Sequence, residues 1–142
     1  LGMTMDTTRA DMTQAMLEGV AFALRDSVEV ARSLGLEIPR STLCGGGSRS
    51  PLWRKILANV LGIPLDLPVT EQGPGYGAAL LAMVACGRRD SAAQVSREML
   101  QVKETVEPDP ALTALYQARY EEYRQIYPAC KTLFANLAKG AV

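Results

Sequence analysis

Histidine is absent from the 142 residues of this chain. Its absence excludes every Ser-His-Asp and Cys-His catalytic scheme and removes the commonest side-chain ligand of transition metals. The three cysteines, Cys44, Cys86 and Cys130, lie far apart and form no CxxC pair. They therefore indicate neither a zinc site nor a disulfide framework, and such free thiols favour a reducing, cytoplasmic location.

A surplus of one charge sign is missing too, because 15 basic residues balance 15 acidic ones. Without a basic surplus, binding of nucleic acid or of an anionic membrane through bulk charge is not expected. An aromatic content of 6% leaves few rings for stacking on bases. The longest apolar run, Gly77 to Cys86, is half the length of about 20 residues that a membrane-spanning helix needs. Neither nucleic acid nor a membrane is therefore an expected partner.

The composition that is present is typical of a folded domain. Apolar residues make up 48% of the chain and charged residues 21%, which excludes wholesale disorder. A length of 142 residues suits one domain or part of one. Because the chain starts at Leu1, with neither a methionine nor a signal-peptide pattern, we expect it to be a piece of a longer protein.

Strand, glycine-turn and helix signals alternate along the chain, which predicts an α/β fold that is rich in helix and has few strands. Caps and breakers set the expected boundaries. In chain order, the expected elements are a helix at 9–34 between Thr8 and Gly35, a buried strand at 41–44, a glycine-rich turn at 45–49, a helix at 51–61 between Ser50 and Gly62, a strand at 63–67, a glycine-rich turn at 71–75, a helix at 77–86 ended by Gly87, a short surface helix at 91–100, an edge strand at 102–106, and helices at 111–127 and 128–139.

The spacing of apolar residues also predicts which helix faces are buried. The face of the first helix expected in the core carries Met12, Met16, Val20, Leu24, Val28 and Ala31, and the wet face carries Glu18, Arg25, Glu29 and Arg32. A stripe of small residues, Ala15, Gly19 and Ala23, predicts the close approach of another backbone. The helix at 77–86 is apolar all round and is expected to be buried on every side. The residues expected to pack in the core or on a buried helix face are Trp53, Cys86, Cys130 and the tyrosines from Tyr116 to Tyr127.

The segment 43–48 carries the strongest chemical signal. A strand that ends in Gly45, Gly46 and Gly47 and leads into a helix suits phosphate, because glycines let the backbone approach and a helix N-terminus favours negative charge. The plain alternative is a tight turn whose glycines only supply positive φ. A P-loop is excluded, since no lysine follows these glycines. A dinucleotide fingerprint stays open, because Gly45, Gly47 and Ser50 match it in part and Asp66 lies where a ribose-binding acid is expected.

A series of motifs resembles the C-terminal domain of the FGGY carbohydrate kinases, and within that family most of all the xylulokinases. The motifs keep the family's order and spacing over nearly the whole chain. They are Thr8-Arg9-Ala10, Glu18 to Phe22, Arg25, Gly45 to Ser50, Trp53-Arg54, Ala58, Gly62, Pro64, Gly73-Pro74, Gly77 to Ala79, Tyr116, Tyr120, Tyr123, Tyr127-Pro128 and Lys131. The resemblance implies part of an actin-like, ribonuclease-H-like lobe, with a nucleotide-binding α/β part at 1–106 and closing helices at 107–142.

The same resemblance implies phosphorylation of a ketose such as D-xylulose, with ATP and Mg²⁺ as cofactors. The residues it implies at the nucleotide are Gly45, Gly46, Gly47, Ser48, Pro51, Leu52, Gly77 and Ala78. The catalytic aspartate and most of the sugar site would lie in the N-terminal lobe of the same kinase, since none of the matching motifs contains them. We therefore expect no catalytic residue and no metal ligand here. Two positions depart from the family pattern: Cys44, expected to pack only, and Tyr76, expected to alter the edge of the pocket.

Other functions stay open on the sequence alone. One alternative is a dinucleotide-binding fragment of an oxidoreductase, and another is a helical protein-interaction module built on the tyrosine-rich C-terminal helices. Two strands make no stable sheet by themselves, so we expect an accompanying chain or a swapped homo-oligomer. Arg49, Asp66 and Glu71 are weaker candidates for touching a nucleotide, and each is explained more simply as a surface or turn residue.

Overall fold

The computed structural model describes residues 1–70 and 73–140. Within these residues, helices and strands alternate as an α/β chain. The elements are α1 (Arg9–Ser33), β1 (Ser41–Thr42), a 3₁₀ turn (Gly46–Arg49), α2 (Pro51–Leu61), β2 (Leu65–Pro68), α3 (Gly73–Ala85), α4 (Ala92–Met99), β3 (Val102–Val106) and α5 (Pro110–Gly140). Among the described residues, no helix is both long enough and apolar enough to cross a membrane.

Local capping chemistry sets the helix boundaries that the sequence predicts. Thr8 and Asp11 form a capping box, in which each side chain accepts a hydrogen bond from the other residue's backbone N–H. The Ser50 hydroxyl accepts from the Trp53 N–H at the start of α2. The glycines that follow the first three helices all adopt positive φ, as a helix-ending glycine does: Gly35, Gly62 and Gly87.

The three strands form one sheet in the order β1-β2-β3. β1 runs parallel to β2, with Ser41 opposite Leu65, and β2 runs antiparallel to β3. The prediction of a buried strand at 41–44 is wrong in length and in burial, since β1 has two residues and both are exposed. The reason is its place at the edge of the sheet, where β1 has a strand neighbour on one side only. The prediction of β3 as an edge strand is confirmed.

The core lies where α1, α2 and α5 pack together against β2. Its buried residues are Ala21, Phe22, Ile56, Leu57, Ala58, Val60, Leu61, Ile63, Leu65, Tyr116 and Tyr120. Trp53 and Tyr123 pack against this cluster while half-buried, which confirms Trp53 as a core residue. The tyrosine stripe is buried only in its first half, because Tyr127 is 62% exposed.

The face of α1 that packs against the core is the one that apolar spacing predicts to face solvent. Its buried residues are Glu18, Ala21, Phe22 and Arg25. Most of the face predicted to be buried is open, since Met12, Met16, Val20 and Leu24 are 45%, 69%, 51% and 47% exposed. Val28, near the C-terminal end of that face, does pack against the core as predicted. The prediction is wrong because it ranks faces by apolar content alone. The packed face is the one on which Ala21 and Phe22 fit between α2 and α5 and both charged residues find polar partners.

Glu18 is a buried carboxylate that joins α1 to α5. Its Oε1 accepts hydrogen bonds from Gln14 Nε2 at 2.8 Å, from the Tyr116 hydroxyl at 3.0 Å and from Arg119 Nη1 at 3.1 Å. Burial and the neighbouring Glu18 carboxylate raise the pKa of Tyr116 above its ordinary value. The carboxylate is thus satisfied from two helices, which is the condition for burying it.

Arg25 makes the second polar link, 7% exposed between α1, α2 and α5. Its guanidinium donates to the Val60 carbonyl at 3.0 Å and to Gln117 Oε1, and it lies 4.2 Å from the centre of the Tyr120 ring. The Tyr120 hydroxyl donates to Asp26 Oδ1 at 2.5 Å. Burial and this hydrogen bond raise the pKa of Tyr120 to about 12.

Three further burial predictions are wrong. Leu80 is the one buried residue of α3 within the described part, and Leu81 is 60% exposed. Cys86 is exposed and Cys130 is half-buried. A methyl group added at Gly19 would meet nothing within 4 Å, so no described backbone closes on the small-residue stripe. These predictions used composition, which does not say which surfaces another element covers.

Two boundaries also differ from the prediction. Gly73 and Gly75, expected in a turn, belong to α3, while Glu71 lies outside the described residues. Helix α5 continues through Pro128, so the helix expected at 128–139 is the second half of one long helix. Proline leaves the carbonyl of Arg124 without a helical donor.

Replacing Glu18 with alanine tests the α1–α5 link. We expect Glu18→Ala to lower the free energy of unfolding by about 2 kcal/mol, because the Tyr116 hydroxyl and Arg119 lose their shared acceptor. Urea denaturation followed by circular dichroism measures the change. The matched control is Glu122→Ala, at an exposed position of α5, which should stay within about 0.5 kcal/mol of the parent. Equal losses in both variants would contradict the assignment.

The raised pKa of Tyr120 predicts an alkaline limit to stability. An unfolded tyrosine loses its proton near pH 10 whereas folded Tyr120 keeps it to about pH 12, so the free energy of unfolding falls with rising pH between those values. Urea midpoints measured from pH 9 to pH 12 follow this fall. Tyr120→Phe should make the fall shallower, leaving the part due to the raised pKa of Tyr116, and the control Tyr127→Phe, at an exposed ring, should leave it unchanged. A slope that Tyr120→Phe leaves unchanged would refute the prediction.

Candidate nucleotide site

The parallel pair β1–β2 brings two chain segments to the same end of the sheet. The glycine loop (Gly45–Arg49) follows β1, and the segment that leads into α3 follows β2. A Cβ atom added at Gly73 would lie 4.0 Å from the Sγ atom of Cys44, so the first described turn of α3 lies beside the loop. The carboxyl ends of parallel strands are where α/β folds bind ligands.

The glycine loop is held in shape by its own hydrogen bonds. Gly45 has φ +87°, and its carbonyl accepts from the Ser48 backbone at 3.1 Å and from the Ser48 hydroxyl at 2.6 Å. The 3₁₀ turn that follows starts at Gly46, and the first amides of such a turn have no carbonyl within it to bind. Methyl groups added at Gly45 or Gly46 would meet nothing within 4 Å. Gly45 and Gly46 are exposed as well, so the loop leaves room for a ligand to approach its backbone.

The third glycine is needed for packing. A Cβ atom at Gly47 would lie 3.1 Å from Trp53 Nε1, which is closer than side chains ordinarily approach. Arg54, for which no role was predicted, donates from Nε to the Ser48 carbonyl and from Nη1 to Glu104 Oε2 at 3.1 Å. Arg54 therefore ties the loop to β3. The sequence signal that could have indicated this role is the position of Arg54 beside Trp53 in one of the family motifs.

The predicted nucleotide residues fall into two groups. Gly45, Gly46, Gly47, Pro51 and Leu52 are exposed around the start of α2, where the structure brings them together. Ser48 is buried, and its hydroxyl is already used within the loop. Gly77 and Ala78 lie apart from this group, on α3.

A cavity of about 330 Å³ lies between β1 and the helices α3 and α4. Cys44 lines it on the strand side, and Gly77 and Tyr76 line it on the helix side. Cys44 is exposed, so its side chain borders this open space rather than packing as predicted. Tyr76 donates its hydroxyl to the Met99 carbonyl at 3.2 Å, which fixes one rim of the cavity.

Asp66 does not have the setting of a ribose ligand. It is buried in β2, where its Oδ1 accepts from the Thr105 hydroxyl at 2.7 Å and its Oδ2 lies 3.2 Å from Arg40 Nε. These partners come from β3 and from the segment just before β1, so Asp66 fastens the sheet together. The aspartate that favoured a dinucleotide fingerprint is therefore a structural residue.

Arg49 is a surface residue, as expected, and Glu71 lies outside the described part. Among residues 1–70 and 73–140, no three His, Cys, Asp or Glu side chains converge as metal ligands would. What this end of the sheet offers is a set of backbone N–H donors. Such donors suit an anion such as phosphate and not a cation.

The model of the FGGY family of carbohydrate kinases, C-terminal domain, matches residues 1–86. This chain belongs to the FGGY family. The match includes the glycine loop, β1, α2 and β2, and it ends just after α3. The family therefore excludes the oxidoreductase alternative, and the structural contacts of Asp66 argue against it as well.

Similar proteins point to one branch of the family. The chain is 31% identical to a xylulose kinase of Staphylococcus epidermidis over 96% of its length, and 35% identical to a xylulose kinase of Escherichia coli over 94%. The crystal structure of a xylulose kinase from Rhodospirillum rubrum superposes with a TM-score of 0.82 at 30% identity over 95% of the chain. The predicted α/β class, as part of the actin-like ATPase fold of these kinases, is confirmed.

The chain spans 28% of the length of each of these three proteins. The remaining part of each of these proteins therefore has no counterpart among these 142 residues.

Three alanine substitutions separate the roles of the loop glycines. We expect Gly45→Ala to lower the free energy of unfolding by about 1–3 kcal/mol, because φ +87° strains any side chain. Gly47→Ala should also destabilise, because its methyl group meets the Trp53 ring. Gly46→Ala is the matched control, and its methyl group enters open space. Urea denaturation of all three checks the ranking, and a Gly46→Ala loss as large as the others would refute it.

Proposed function

We propose that this chain is the nucleotide-binding part of an ATP-dependent sugar kinase that phosphorylates a ketose, D-xylulose being the expected substrate. The observation that carries the proposal is the glycine loop, whose exposed glycines lie at the carboxyl end of β1 in a chain of the FGGY family. The choice of D-xylulose rests on relatives named xylulose kinase. The proposed location of the enzyme is the cytoplasm.

In this proposal the glycine loop holds the phosphate groups of ATP. The amides of Gly46 and Gly47 donate to phosphate oxygens, and the absence of side chains lets those oxygens approach. Gly45 and Ser48 keep the loop in shape through their hydrogen bonds. This arrangement orients a phosphoryl group through fixed dipoles, which is most of what a kinase contributes to phosphoryl transfer.

The remaining predicted residues frame the nucleoside. Pro51 and Leu52 are exposed at the start of α2, one helical turn after the loop, and we assign them to the adenine. Gly77 and Ala78 would border the same pocket from α3. Of these two residues, Gly77 lines the cavity that Cys44 also borders, and this placement supports the assignment.

The described residues do not fit a resident Mg²⁺, because hard cations need carboxylate or carbonyl oxygens and the loop offers N–H groups. The Mg²⁺ that kinases use would be held by the phosphates and by the rest of the enzyme, and no step in this chain is assigned to it. The N-terminal lobe would supply the catalytic aspartate and most of the sugar site. Residues 1–106 would form the nucleotide-binding part, and residues 107–142 would close the lobe.

A chimeric kinase tests this proposal. The chain replaces the aligned region of the E. coli xylulose kinase, and a coupled ADP-release assay with D-xylulose measures turnover. We expect activity from the chimera and none from the 142 residues alone. Gly46→Ala in the chimera should raise KM for ATP by about tenfold or more, because its methyl group separates amide from phosphate, and should leave KM for xylulose unchanged.

The matched control is Gly19→Ala, which also adds one methyl group into open space, on α1 and outside the loop. It should change neither KM. A soluble, folded chimera with no turnover, or equal effects of the two substitutions on KM for ATP, would reject the proposal.

A further inference from the structure

Arg54 is a half-buried arginine that reaches from α2 to two other parts of the fold. Its Nε donates to the Ser48 carbonyl in the glycine loop, and its Nη1 donates to Glu104 Oε2 on β3 at 3.1 Å. A guanidinium group is planar and holds its N–H donors in fixed directions. Arg54 therefore sets both the distance and the direction between the loop and β3.

The two elements that hold Arg54 are themselves anchored in the fold. Residues 56–61 of α2 are all buried, so the helix is fixed in the core just after Arg54. Strand β3 pairs with β2, with Glu104 opposite Leu67. Arg54 therefore connects the loop to a buried helix and to a paired strand.

The internal hydrogen bonds of the loop set its shape but not its position. The Ser48 N–H donates to the Gly45 carbonyl and the Ser50 N–H donates to the Gly47 carbonyl, both at 3.1 Å. A cavity of about 30 Å³ lies between the loop, β2 and β3, and Arg54 borders it together with both of its hydrogen-bond partners. Packing between the loop and the sheet is incomplete at this cavity, and the side chain of Arg54 spans it.

The direction of the Ser48 carbonyl matters for an anion that approaches the loop. A backbone carbonyl oxygen carries partial negative charge, and a trans peptide holds its C=O and N–H on opposite sides. Because Arg54 binds this oxygen, the carbonyl points towards α2 and β3. Without Arg54 the same peptide could rotate and turn its negative end towards a bound phosphate.

We propose that Arg54 is the positioning residue of the glycine loop, which it holds in its phosphate-binding shape by bridging the Ser48 carbonyl to Glu104. Arg54 acts through the loop and not by contact with the nucleotide, and this assignment rests on the proposed function. An arginine that only stabilises the fold changes the amount of folded protein. A positioning arginine also changes the affinity for ATP of the protein that stays folded.

The first test follows the loop in the 142-residue chain itself. Hydrogen exchange measured by NMR reports the N–H groups of Ser48 and Ser50, which the loop's own hydrogen bonds protect. We expect Arg54→Ala to speed their exchange by about tenfold or more, because the loop loses a hydrogen bond from a charged donor. The N–H of Val60, in the buried part of α2, should change less.

The matched control is Arg89→Ala. Arg89 also joins a carboxylate to a backbone carbonyl, because it donates to Glu98 Oε2 at 2.7 Å and to the Arg88 carbonyl at 2.9 Å, but it lies outside the loop. This variant should leave exchange at Ser48 and Ser50 unchanged.

The second test uses the chimeric kinase. Arg54→Ala should raise KM for ATP by about tenfold and leave KM for D-xylulose unchanged, whereas loss of folded enzyme lowers turnover and moves neither KM. Arg54→Lys should behave like Arg54→Ala, because an ammonium group keeps the charge but not the fixed pair of donors. Glu104→Ala should act in the same direction but more weakly, since Glu104 is half-exposed.

Circular dichroism and urea midpoints establish that the variants fold, and Arg54→Lys and Glu104→Ala keep the test decisive if Arg54→Ala does not. Loop exchange equal to that of the control, equal acceleration at Val60, an unchanged KM for ATP in an active chimera, or parent-like behaviour of Arg54→Lys would each overturn the proposal. Faster loop exchange in a folded chain whose chimera lacks turnover would keep Arg54 as the positioning residue and reject the kinase function, so the two fail separately.

Discussion

The parallel pairing of β1 with β2 is the constraint on which the candidate site depends. It is short, with two paired residues on the β1 side. Asp66 strengthens it from the middle strand, because its carboxylate reaches Thr105 on β3 and Arg40 just before β1. One buried side chain thus holds all three strands in place, and through them the loop that follows β1. The glycine loop follows a sheet of only three described strands, so its position depends on these contacts.

The features that the sequence predicted well are those decided within a few residues. Thr8 and Ser50 cap their helices, Gly35, Gly62 and Gly87 end theirs, and Gly45 adopts the positive φ that a triple-glycine turn suggests. These outcomes follow from hydrogen-bonding groups and steric limits that lie next to one another in the chain. The order and spacing of such local motifs also indicated the resemblance to the FGGY family. The fold class could be predicted for that reason.

Burial could not be predicted in the same way, because it depends on partners that are distant in sequence. Glu18 and Arg25 are buried by groups on α5 and α2 that lie far from them along the chain. The spacing rule also assumes that the more apolar face of a helix is the covered one, and α1 shows the opposite within this chain. For the candidate site, the glycine-rich turn was predictable, but the contacts of Arg54 and Tyr76 depend on where β3 and α4 lie.

The packing of Trp53 beneath Gly47 has an optical consequence. Trp53 is the single tryptophan of the chain, and its ring nitrogen lies 3.1 Å from the place that a Cβ atom at Gly47 would take. Indole emission responds to the polarity and rigidity of its surroundings. Any rearrangement of the glycine loop is therefore reported by the intrinsic fluorescence of the chain, with no label and no competing indole.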